Sequence, residues 1–350
     1  MMQQLNRILK EETIEAALAS LYDLAGPFSC QFLRRSFNDH YVVNAGDKKY
    51  ILRIYLNKKS YIHNLENIHF ELDFLTYLHS KNVPAIPPLI SKNNQKLCSI
   101  RLTNEIRYVA LFPFAKGIPI EPDLTEDQAL TFGEVIGKMH GESNAFRSEF
   151  SRYYLNDKEL IAEPLNQIEV YTSLLGLGNL DFYRDAAGKL MEGLNRLPKD
   201  QETFGLIHGD PNPSNLYFSK TNGFSLFDFD HCGFGYRIHD LAVVKLSYPE
   251  DVYDSVVEGY ERIRTLHKKE KEFIPLYADI LLVKKFSDIL NMLEVTGADE
   301  TTKKSIASNA MNTLKAKSNH EETHDEQRLV RREKIHNRLN GGPEKFLRDG

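Results

Sequence analysis

The chain has 350 residues, of which 41% are hydrophobic and 27% charged, and a net charge of −5. This length is enough for a large core and two lobes. The acidic balance disfavours a nucleic-acid partner, which requires a basic face. No stretch approaches the ~20 apolar residues that span a bilayer, so no membrane partner is expected. The N-terminus has no apolar run of the kind that a signal peptide carries. The cysteines have no Cys-x-x-Cys spacing, so we expect a cytoplasmic protein with free thiols.

The first third of the chain predicts a small antiparallel sheet with two helices. Apolar spacing indicates a helix from Ile8 to Leu24 and another from Asn64 to His79. The strand signals are alternating or aromatic-rich runs bounded by turn residues. These runs lie within Phe32 to Tyr55, which turns at Asn44–Asp47, and at Cys98–Arg101 and Arg107–Phe112.

The remaining chain predicts mainly helices. Thr125–Gln128 matches a capping box, which starts a helix to about His140. The other helical patterns are Leu155–Leu197, broken near Gly176–Gly178, then His239–Leu246, Pro249–Tyr260 and Pro275–Val295. From Gly297 onward charge signs alternate and apolar residues thin out, which is typical of weak helices or a disordered tail.

A predicted hairpin lies between Leu216 and Phe229. Asn222-Gly223 indicates a two-residue type I′ turn, because both positions of that turn need a positive φ. This register sets Ser219 opposite Leu226 and Tyr217 opposite Asp228. Asn215 and Asp228 then lie at the same open end, beside Asp230. One amide oxygen and one or two carboxylates suit Mg²⁺, which prefers oxygen ligands.

Asp210 stands on a loop that Pro211 and Pro213 keep out of regular structure. Asn215 follows five residues later, and Asp228-Phe229-Asp230 comes after the hairpin. Protein kinases use this spacing, with an Asp that accepts the substrate hydroxyl proton, an Asn that binds metal, and an Asp-Phe-Gly carboxylate that holds Mg²⁺. The pattern therefore predicts phosphoryl transfer.

The combined motif resembles that of the aminoglycoside phosphotransferase-like kinases, whose relatives include homoserine, choline and stress-response kinases. It comprises His208-Gly209-Asp210, Asn215, Asp228-Phe229-Asp230 and Asp240-Leu241. The resemblance covers roughly residues 28 to 295. It implies an α+β, two-lobed protein-kinase-like fold. An N-terminal nucleotide-binding lobe with a small antiparallel sheet would span residues 1–115, and a larger, mainly helical catalytic and acceptor-binding lobe residues 116–298. Residues 299–350 would form the charged tail.

The resemblance also implies ATP- and Mg²⁺-dependent phosphorylation of a hydroxyl on a small molecule. Asp210 would be the catalytic base. Asn215 and Asp228 would hold Mg²⁺, with Asp230 as a second ligand or an acceptor contact. Asp240 would brace the catalytic loop from the start of its helix.

The resemblance assigns the nucleotide contacts to the N-terminal lobe. Arg53 stands where kinases place a Lys, and Glu71 is its expected helix partner, with Glu66 as the competitor. The segment from Arg34 to His40 would cover the phosphates through Ser36, Asn38 and backbone amides, although it lacks glycine. The adenine would bond to the backbone around Phe112 to Ala115, which includes Phe114.

Two alternatives remain from the sequence: a protein Ser/Thr kinase of the stress-response type, and a catalytically inactive nucleotide-binding protein. The first is disfavoured by the helical insert at Leu155–Leu197 and by the lack of an Ala-Pro-Glu segment. The second is suggested by Arg53 and the glycine-free tip. The acceptor stays open among aminoglycosides, amino alcohols, sugars and hydroxy amino acids, and so does the oligomeric state. Candidates to meet an amine on the acceptor are Asp251, Asp254, Glu258 and Asp288.

Overall fold

The computed structural model of the protein describes residues 6–120, 124–175, 181–306 and 308. An antiparallel five-stranded sheet occupies the N-terminal part. Its strands are β1 (Phe28–Arg35), β2 (Asn38–Ala45), β3 (Lys48–Tyr55), β4 (Cys98–Arg101) and β5 (Ile106–Pro113). They lie in the order β1-β2-β3-β5-β4. Two helices accompany the sheet, α1 (Glu11–Leu21) and α2 (Leu65–Ser80). The predicted α+β architecture is therefore confirmed.

The two faces of this sheet meet different surroundings, because successive side chains of a strand point to opposite faces. Leu52 and Ile54 of β3 pack into a cluster that also contains residues of α1. Arg53 and Tyr55 lie on the other face, toward α2. Helix α2 begins after Asn64, whose side chain accepts the amide hydrogen of Asn67.

The C-terminal part is mainly helical. Its helices are α3 (Glu126–Ser143), α4 (Glu163–Leu175), α5 (Asp181–Leu194), α6 (Ile238–Ser247), α7 (Glu250–Ile263) and α8 (Lys268–Val295), with one π-helical turn at Lys158–Ala162. The capping box predicted at Thr125 and Gln128 is confirmed. Helix α8 begins seven residues before the predicted Pro275, since His267 and Glu270 form a capping box there. The predicted break at Gly176–Gly178, and nearly all of the tail beyond a helical stretch at 300–306, lie outside the described residues.

Two small sheets carry the loops of the motif. Strand β7 (Phe204–Ile207) pairs with β10 (Gly233–Tyr236), and β8 (Leu216–Ser219) pairs with both β6 (Ile118–Pro119) and β9 (Gly223–Leu226). Strand β9 ends at Leu226, three residues before the predicted end. The cause is local, since Asp228 adopts a left-handed backbone conformation that leaves the ladder.

The predicted register of the β8–β9 hairpin is wrong. Leu216 pairs with Leu226, and Ser219 pairs with Gly223 instead of Leu226. Only Gly223 of the proposed turn pair has a positive φ, of 69°. The side chain of Ser219 accepts the amide hydrogens of Thr221 and Asn222, which supports a three-residue loop closed by a left-handed glycine. The open end still brings Asn215 close to the turn from Phe227 to His231, the predicted metal-side turn, because the carbonyl of Asn215 accepts the amide hydrogen of Phe227.

A large apolar core joins both parts of the molecule. It runs from α2 and the end of β5 through α3 and β7 to α8, with Phe74, Phe112, Phe229 and Leu241 among its members. Within the ranges given above, no helix is long and apolar enough to cross a membrane.

Candidate active site

The loop that carries Asp210, from His208 to Asn215 and called the catalytic loop, is bonded to the first turn of α6. Asp240 is fully buried, and its two oxygens accept the amide hydrogens of His208 and Gly209, each at 2.8 Å. The predicted bracing role of Asp240 is therefore confirmed. Gly209 has φ of 86°, and a Cβ there would lie 2.2 Å from the carbonyl oxygen of His231. Asp210 is thus presented on a backbone with very little freedom.

A buried histidine completes the support beneath the loop. Nε2 of His140 lies 3.0 Å from Asp240 Oδ2, and its Nδ1 lies 3.0 Å from the hydroxyl of Tyr260. Burial by itself raises the pKa of Asp240, but the hydrogen bond and charge of His140, together with the charges of His208 and His239, lower that pKa to about 2. Burial lowers the pKa of His140 to about 4. His140 is therefore a neutral structural donor.

Asn215 links the catalytic loop to the hairpin. Its Nδ2 donates to the carbonyl oxygen of Asp210 at 2.9 Å and to Asp210 Oδ2 at 3.1 Å. Because both bonds use the amide nitrogen, Oδ1 is the atom that remains to accept or to bind a cation. Asn215 is 4% exposed, so its geometry is set by the surrounding protein.

Asp228 projects from a strained position at the same open end. It is a non-glycine residue with φ of 64°, and such outliers cluster at functional sites. Its Oδ1 is buried without a well-aligned hydrogen bond, although Nη2 of Arg53 lies 3.3 Å away. Burial opposes ionisation of Asp228, but the combined charges of Arg53, His40 and His231 lower the pKa of Asp228. The result is an ionised carboxylate with an under-used oxygen.

Asp228 and Asn215 fit a magnesium ion. They offer one carboxylate and one amide oxygen, and Mg²⁺ is typically bound by one or two protein carboxylates while phosphates and water complete the shell. No group of three His, Cys, Asp or Glu side chains suited to a metal occurs among the residues that the structure describes. The donor set therefore suits a metal that arrives with a phosphate ligand.

Arg53 and Glu71 form a buried ion pair between β3 and α2. Nη1 of Arg53 lies 2.5 Å from Glu71 Oε1, and the two residues are 4% and 0% exposed. Burial lowers the pKa of Arg53, but the neighbouring carboxylates, those of Asp228 and Glu71 first, raise it well above its usual value. The competing acid, Glu66, instead accepts a hydrogen bond from the Ser151 hydroxyl. The helix partner of Arg53 is thus Glu71.

Asp230 has different partners from those expected. Both of its oxygens contact Nζ of Lys59, at 2.7 and 3.0 Å, and Oδ2 also accepts from the Tyr61 hydroxyl at 2.8 Å and from Nδ2 of Asn38 at 3.0 Å. The side chain is 1% exposed. Both oxygens of this carboxylate are therefore engaged by protein donors, Oδ1 by Lys59 alone, and the role of Asp230 as a second metal ligand or acceptor contact stays a prediction.

The remaining predicted nucleotide residues are spread along the sheet. Ser36 donates its amide hydrogen to the carbonyl of Asn38 at 3.0 Å, which closes the tip between β1 and β2. Asn38 turns inward to Asp230 instead of pointing out of the tip. Phe112 lies under Arg53, with the guanidinium carbon 5.0 Å from the ring centroid. The amide of Phe114 already donates to Lys49, so the next hinge donor is Ala115.

A cavity of about 130 Å³ opens beside Asp210. It lies between the catalytic loop, α6, α8 and the tip of the β1–β2 hairpin. Of the four acids suggested for an amine, Asp288 lines this cavity, where it pairs with Lys284 at 2.5 Å. Glu258 instead pairs with Arg262 on the surface of α7. The other residues that frame the space include Phe37, Tyr153, His231, His239 and Lys285.

Sequence reasoning missed Lys59, Arg152 and Phe37. Lys59 follows Lys58 directly after a strand, and such a pair usually lies in solvent. Arg152 donates to the backbone carbonyls of Asp230 and Cys232, which fixes the metal-side turn. An arginine between Ser151 and Tyr153 gives no sequence signal for such a role. The sequence of the tip predicts only phosphate contacts, which gives no signal for Phe37.

The fold is that of a two-lobed kinase-like protein. It has an N-terminal sheet and a helical C-terminal part, and the site residues described above lie where the two meet. The profile of the Phosphotransferase enzyme family matches residues 31–273, and the chain belongs to that family. It is 24% identical over 307 residues to the amicoumacin kinase of Bacillus subtilis. The matched region covers 83% of this chain and 85% of the relative.

Several solved structures share the fold. A microcompartment-associated aminopropanol kinase matches with a TM-score of 0.70 and 21% identity, over 87% of this chain and 94% of that one. The amicoumacin kinase hAmiN, in complex with AMP-PNP, Ca²⁺ and Ami, matches with a TM-score of 0.69 and 18% identity, over 88% and 94% of the two chains.

Proposed function

We propose that this protein is an ATP- and Mg²⁺-dependent phosphotransferase that phosphorylates a hydroxyl group of a small molecule. The observation that carries the proposal is the position of Asn215, which bonds to Asp210 and to the backbone of Phe227, next to Asp228. Arg53 contacts Asp228 from β3. Family membership supports it, as does the nucleotide analogue and divalent ion in the hAmiN structure. In this assignment residues 1–115 form the nucleotide lobe and residues 116–298 the catalytic lobe.

Asp210 is the base in this proposal. Its carboxylate, held by Nδ2 of Asn215, faces the cavity and accepts the proton of the acceptor hydroxyl as that oxygen attacks phosphorus. The bond to Asn215 fixes the carboxylate direction, so little reorganisation is needed. Positioning and charge stabilisation supply most of the acceleration in phosphoryl transfer.

Asp228 and Oδ1 of Asn215 would hold the magnesium ion, which when bound neutralises charge on the phosphates. Arg53 supplies fixed positive charge beside it, 3.3 Å from Asp228. Glu71 keeps that guanidinium in place from α2. In this proposal Arg53 and Glu71 replace the Lys and helix Glu of protein kinases, which place positive charge at the nucleotide phosphates.

The nucleotide base would bind along the hinge after β5. Phe112 and Phe114 flank the backbone that would bond to the adenine, and Pro113 between them has no amide hydrogen to offer. The hydroxyl of Ser36 would face the phosphates from the hairpin tip, since its amide hydrogen is donated to the carbonyl of Asn38. A requirement for ATP, together with three buried free cysteines, supports a cytoplasmic location.

The acceptor would be a small molecule. The cavity beside Asp210 lies between the loop that carries Asp210, α6 and α8, which is the kind of concave space that a small molecule occupies. Aminoglycosides, amino alcohols, sugars and hydroxy amino acids are the classes to test. The amicoumacin and aminopropanol kinases show that such acceptors occur among similar proteins.

An ADP-release screen across these four classes tests the proposal. Each candidate is incubated with Mg-ATP and wild-type protein, and the Asp210→Asn variant serves as the blank. Acceptor-dependent ADP release that the blank lacks would support the assignment. No release above the blank with any class, from protein that binds Mg-ATP, would overturn it and favour a nucleotide-binding protein without catalysis.

A further inference from the structure

The tip between β1 and β2 reaches the cavity that holds Asp210. Phe37 sits at this tip and is partly buried against the C-terminal lobe. Its ring lies edge-on to His231, with centroids 5.2 Å apart, and edge-on to Tyr61 at 5.9 Å. Tyr61 and His231 stack on each other at 4.3 Å. Three rings from two lobes thus form one wall, and Phe37 and His231 line the same cavity as Asp210.

This contact is fastened by a buried lysine. Lys59 lies in the loop after β3 and is 4% exposed, although lysine side chains rarely leave solvent. Its Nζ contacts both oxygens of Asp230 and also donates to Oδ1 of Asn38 at 2.8 Å. Asn38 in turn donates to Asp230 at 3.0 Å. The residue next to Phe37 is therefore tied to the residue next to His231.

The network holds a geometry more than it adds stability. Burying a charged pair costs desolvation that its mutual attraction barely recovers, so such pairs are weak evidence for stability. The hydrogen bonds of Lys59 and Asp230 join three segments: the hairpin tip at Asn38, the loop after β3 and the turn after Asp228. What the network fixes is the distance between the tip and the catalytic loop.

We propose that Phe37 is a specificity-determining wall of the acceptor pocket, and that Lys59, through Asp230 and Asn38, is the positioning residue that holds it there. The inference rests on the proposed function, since it assigns the cavity beside Asp210 to the acceptor. The same hairpin that carries Ser36 toward the phosphates then also contacts the acceptor. Binding of either ligand would consequently restrict the segment that the other ligand needs.

A fluorescence measurement tests the position of the tip without any acceptor. The chain contains no tryptophan, so Phe37→Trp introduces a single reporter. Its emission and acrylamide quenching are compared with those of the same variant carrying Lys59→Met and Asp230→Asn. Removing both charges together avoids leaving one buried and unpaired, which would destabilise the fold. We expect a red shift and stronger quenching once the network is lost.

Lys58→Met is the matched control, because Lys58 is the adjacent lysine and is exposed. Added to Phe37→Trp, it should leave the indole emission and quenching unchanged. Unchanged emission and quenching in the variant without the Lys59 and Asp230 charges, while circular dichroism shows an intact fold, would overturn the positioning role. An equal change with Lys58→Met would also overturn it, since the effect would then be unspecific.

Kinetics test the specificity role, with an acceptor taken from the ADP-release screen. Phe37→Ala should raise the KM for that acceptor roughly tenfold, as expected for one lost aromatic contact, and change the KM for ATP much less. Phe37→Leu should fall between. Leu33→Ala is the control, since Leu33 lies on β1 with 52% of its surface exposed.

The two failures are distinguishable. If wild-type protein turns over an acceptor and Phe37→Ala leaves both KM values unchanged, or raises only that for ATP, the inference fails while the proposed function stands. If wild-type protein turns over no acceptor, the proposed function fails and the inference falls with it.

Discussion

The guanidinium of Arg53 contacts the carboxylate of Asp228 across the cleft, with Nη2 and Oδ1 3.3 Å apart. The other terminal nitrogen, Nη1, lies 2.5 Å from Glu71. One planar group therefore joins β3, α2 and the turn that would bind metal. A lysine is a point charge on a flexible stem and cannot hold two carboxylates in this fixed fork. The arginine is thus suited to this site, and the departure from the kinase lysine does not indicate lost catalysis.

Arg53→Lys should keep measurable activity with a raised KM for ATP, because a positive charge still reaches the phosphates. Arg53→Ala should lower kcat/KM further and reduce the free energy of unfolding by about 3–5 kcal/mol, since Glu71 is left buried and unpaired. The double variant with Glu71→Ala should be less than additive. ATP kinetics and urea unfolding measure both effects, with Glu66→Ala as the control on α2. Wild-type ATP kinetics in Arg53→Ala would return Arg53 to a structural role.

Asp210→Asn should lose turnover by roughly 10²–10⁴-fold, the usual contribution of a general base. The side chain is partly exposed and receives one bond from Asn215, which an amide oxygen can still accept. Stability and Mg-ATP affinity should therefore be retained. Single-turnover assays and calorimetry separate these quantities. Turnover near the wild-type level would exclude Asp210 as the base.

Asp228→Ala should abolish the Mg²⁺ dependence of nucleotide binding, whereas Asn215→Ala should weaken it less. A carboxylate is the stronger ligand for a hard cation, and Asn215 contributes a neutral oxygen. Titration calorimetry with ATP, in the presence and absence of Mg²⁺, gives the difference for each variant. The same metal dependence in Asp228→Ala and wild type would remove Asp228 from the metal site.

Stability should fall as the pH is lowered from about 6.5 to about 4, in part because of His140. Burial lowers the pKa of His140 to about 4, whereas an unfolded histidine titrates near 6.5. The unfolded chain therefore takes up a proton in this window that the folded protein does not bind. Each such proton costs about 1.4 kcal/mol for every pH unit. His239, whose pKa burial also lowers to about 4, adds to the slope.

The variant His140→Gln keeps a donor for Asp240 and removes this titration. Urea unfolding of both proteins between about pH 4 and pH 7.5 should show a shallower decline for the variant, because that range covers the window between the two histidine pKa values. Parallel curves would mean that His140 is protonated in the folded state.

Local signals predicted much of this structure because they act over a few residues. Asn64 caps α2, and the Thr125 capping box starts α3, since both satisfy amides at a helix end that has no other partner. The spacing of Asp210, Asn215 and Asp228 also depends only on one loop and one hairpin. Although the predicted hairpin register is wrong, Asn215 still lies next to this turn, because its carbonyl accepts the amide hydrogen of Phe227.

The partners of Asp230 could not be predicted in the same way. Lys59 is 171 positions away in the chain, and Asn38 is 192. Nothing in either neighbourhood distinguishes a buried lysine from a solvated one before the two lobes are docked. The hairpin register failed for a related reason, because the side chain of Ser219 favoured a three-residue loop over the strong two-residue turn signal.

Gly209 packs so closely on His231 that no side chain fits between them. Any substitution there would push the catalytic loop and the metal-side turn apart together. At this contact the two segments cannot be altered independently of each other. The cavity walls on α6, α8 and the hairpin tip are not bound by this contact. A mutagenesis library aimed at changing the acceptor would therefore be best confined to those walls.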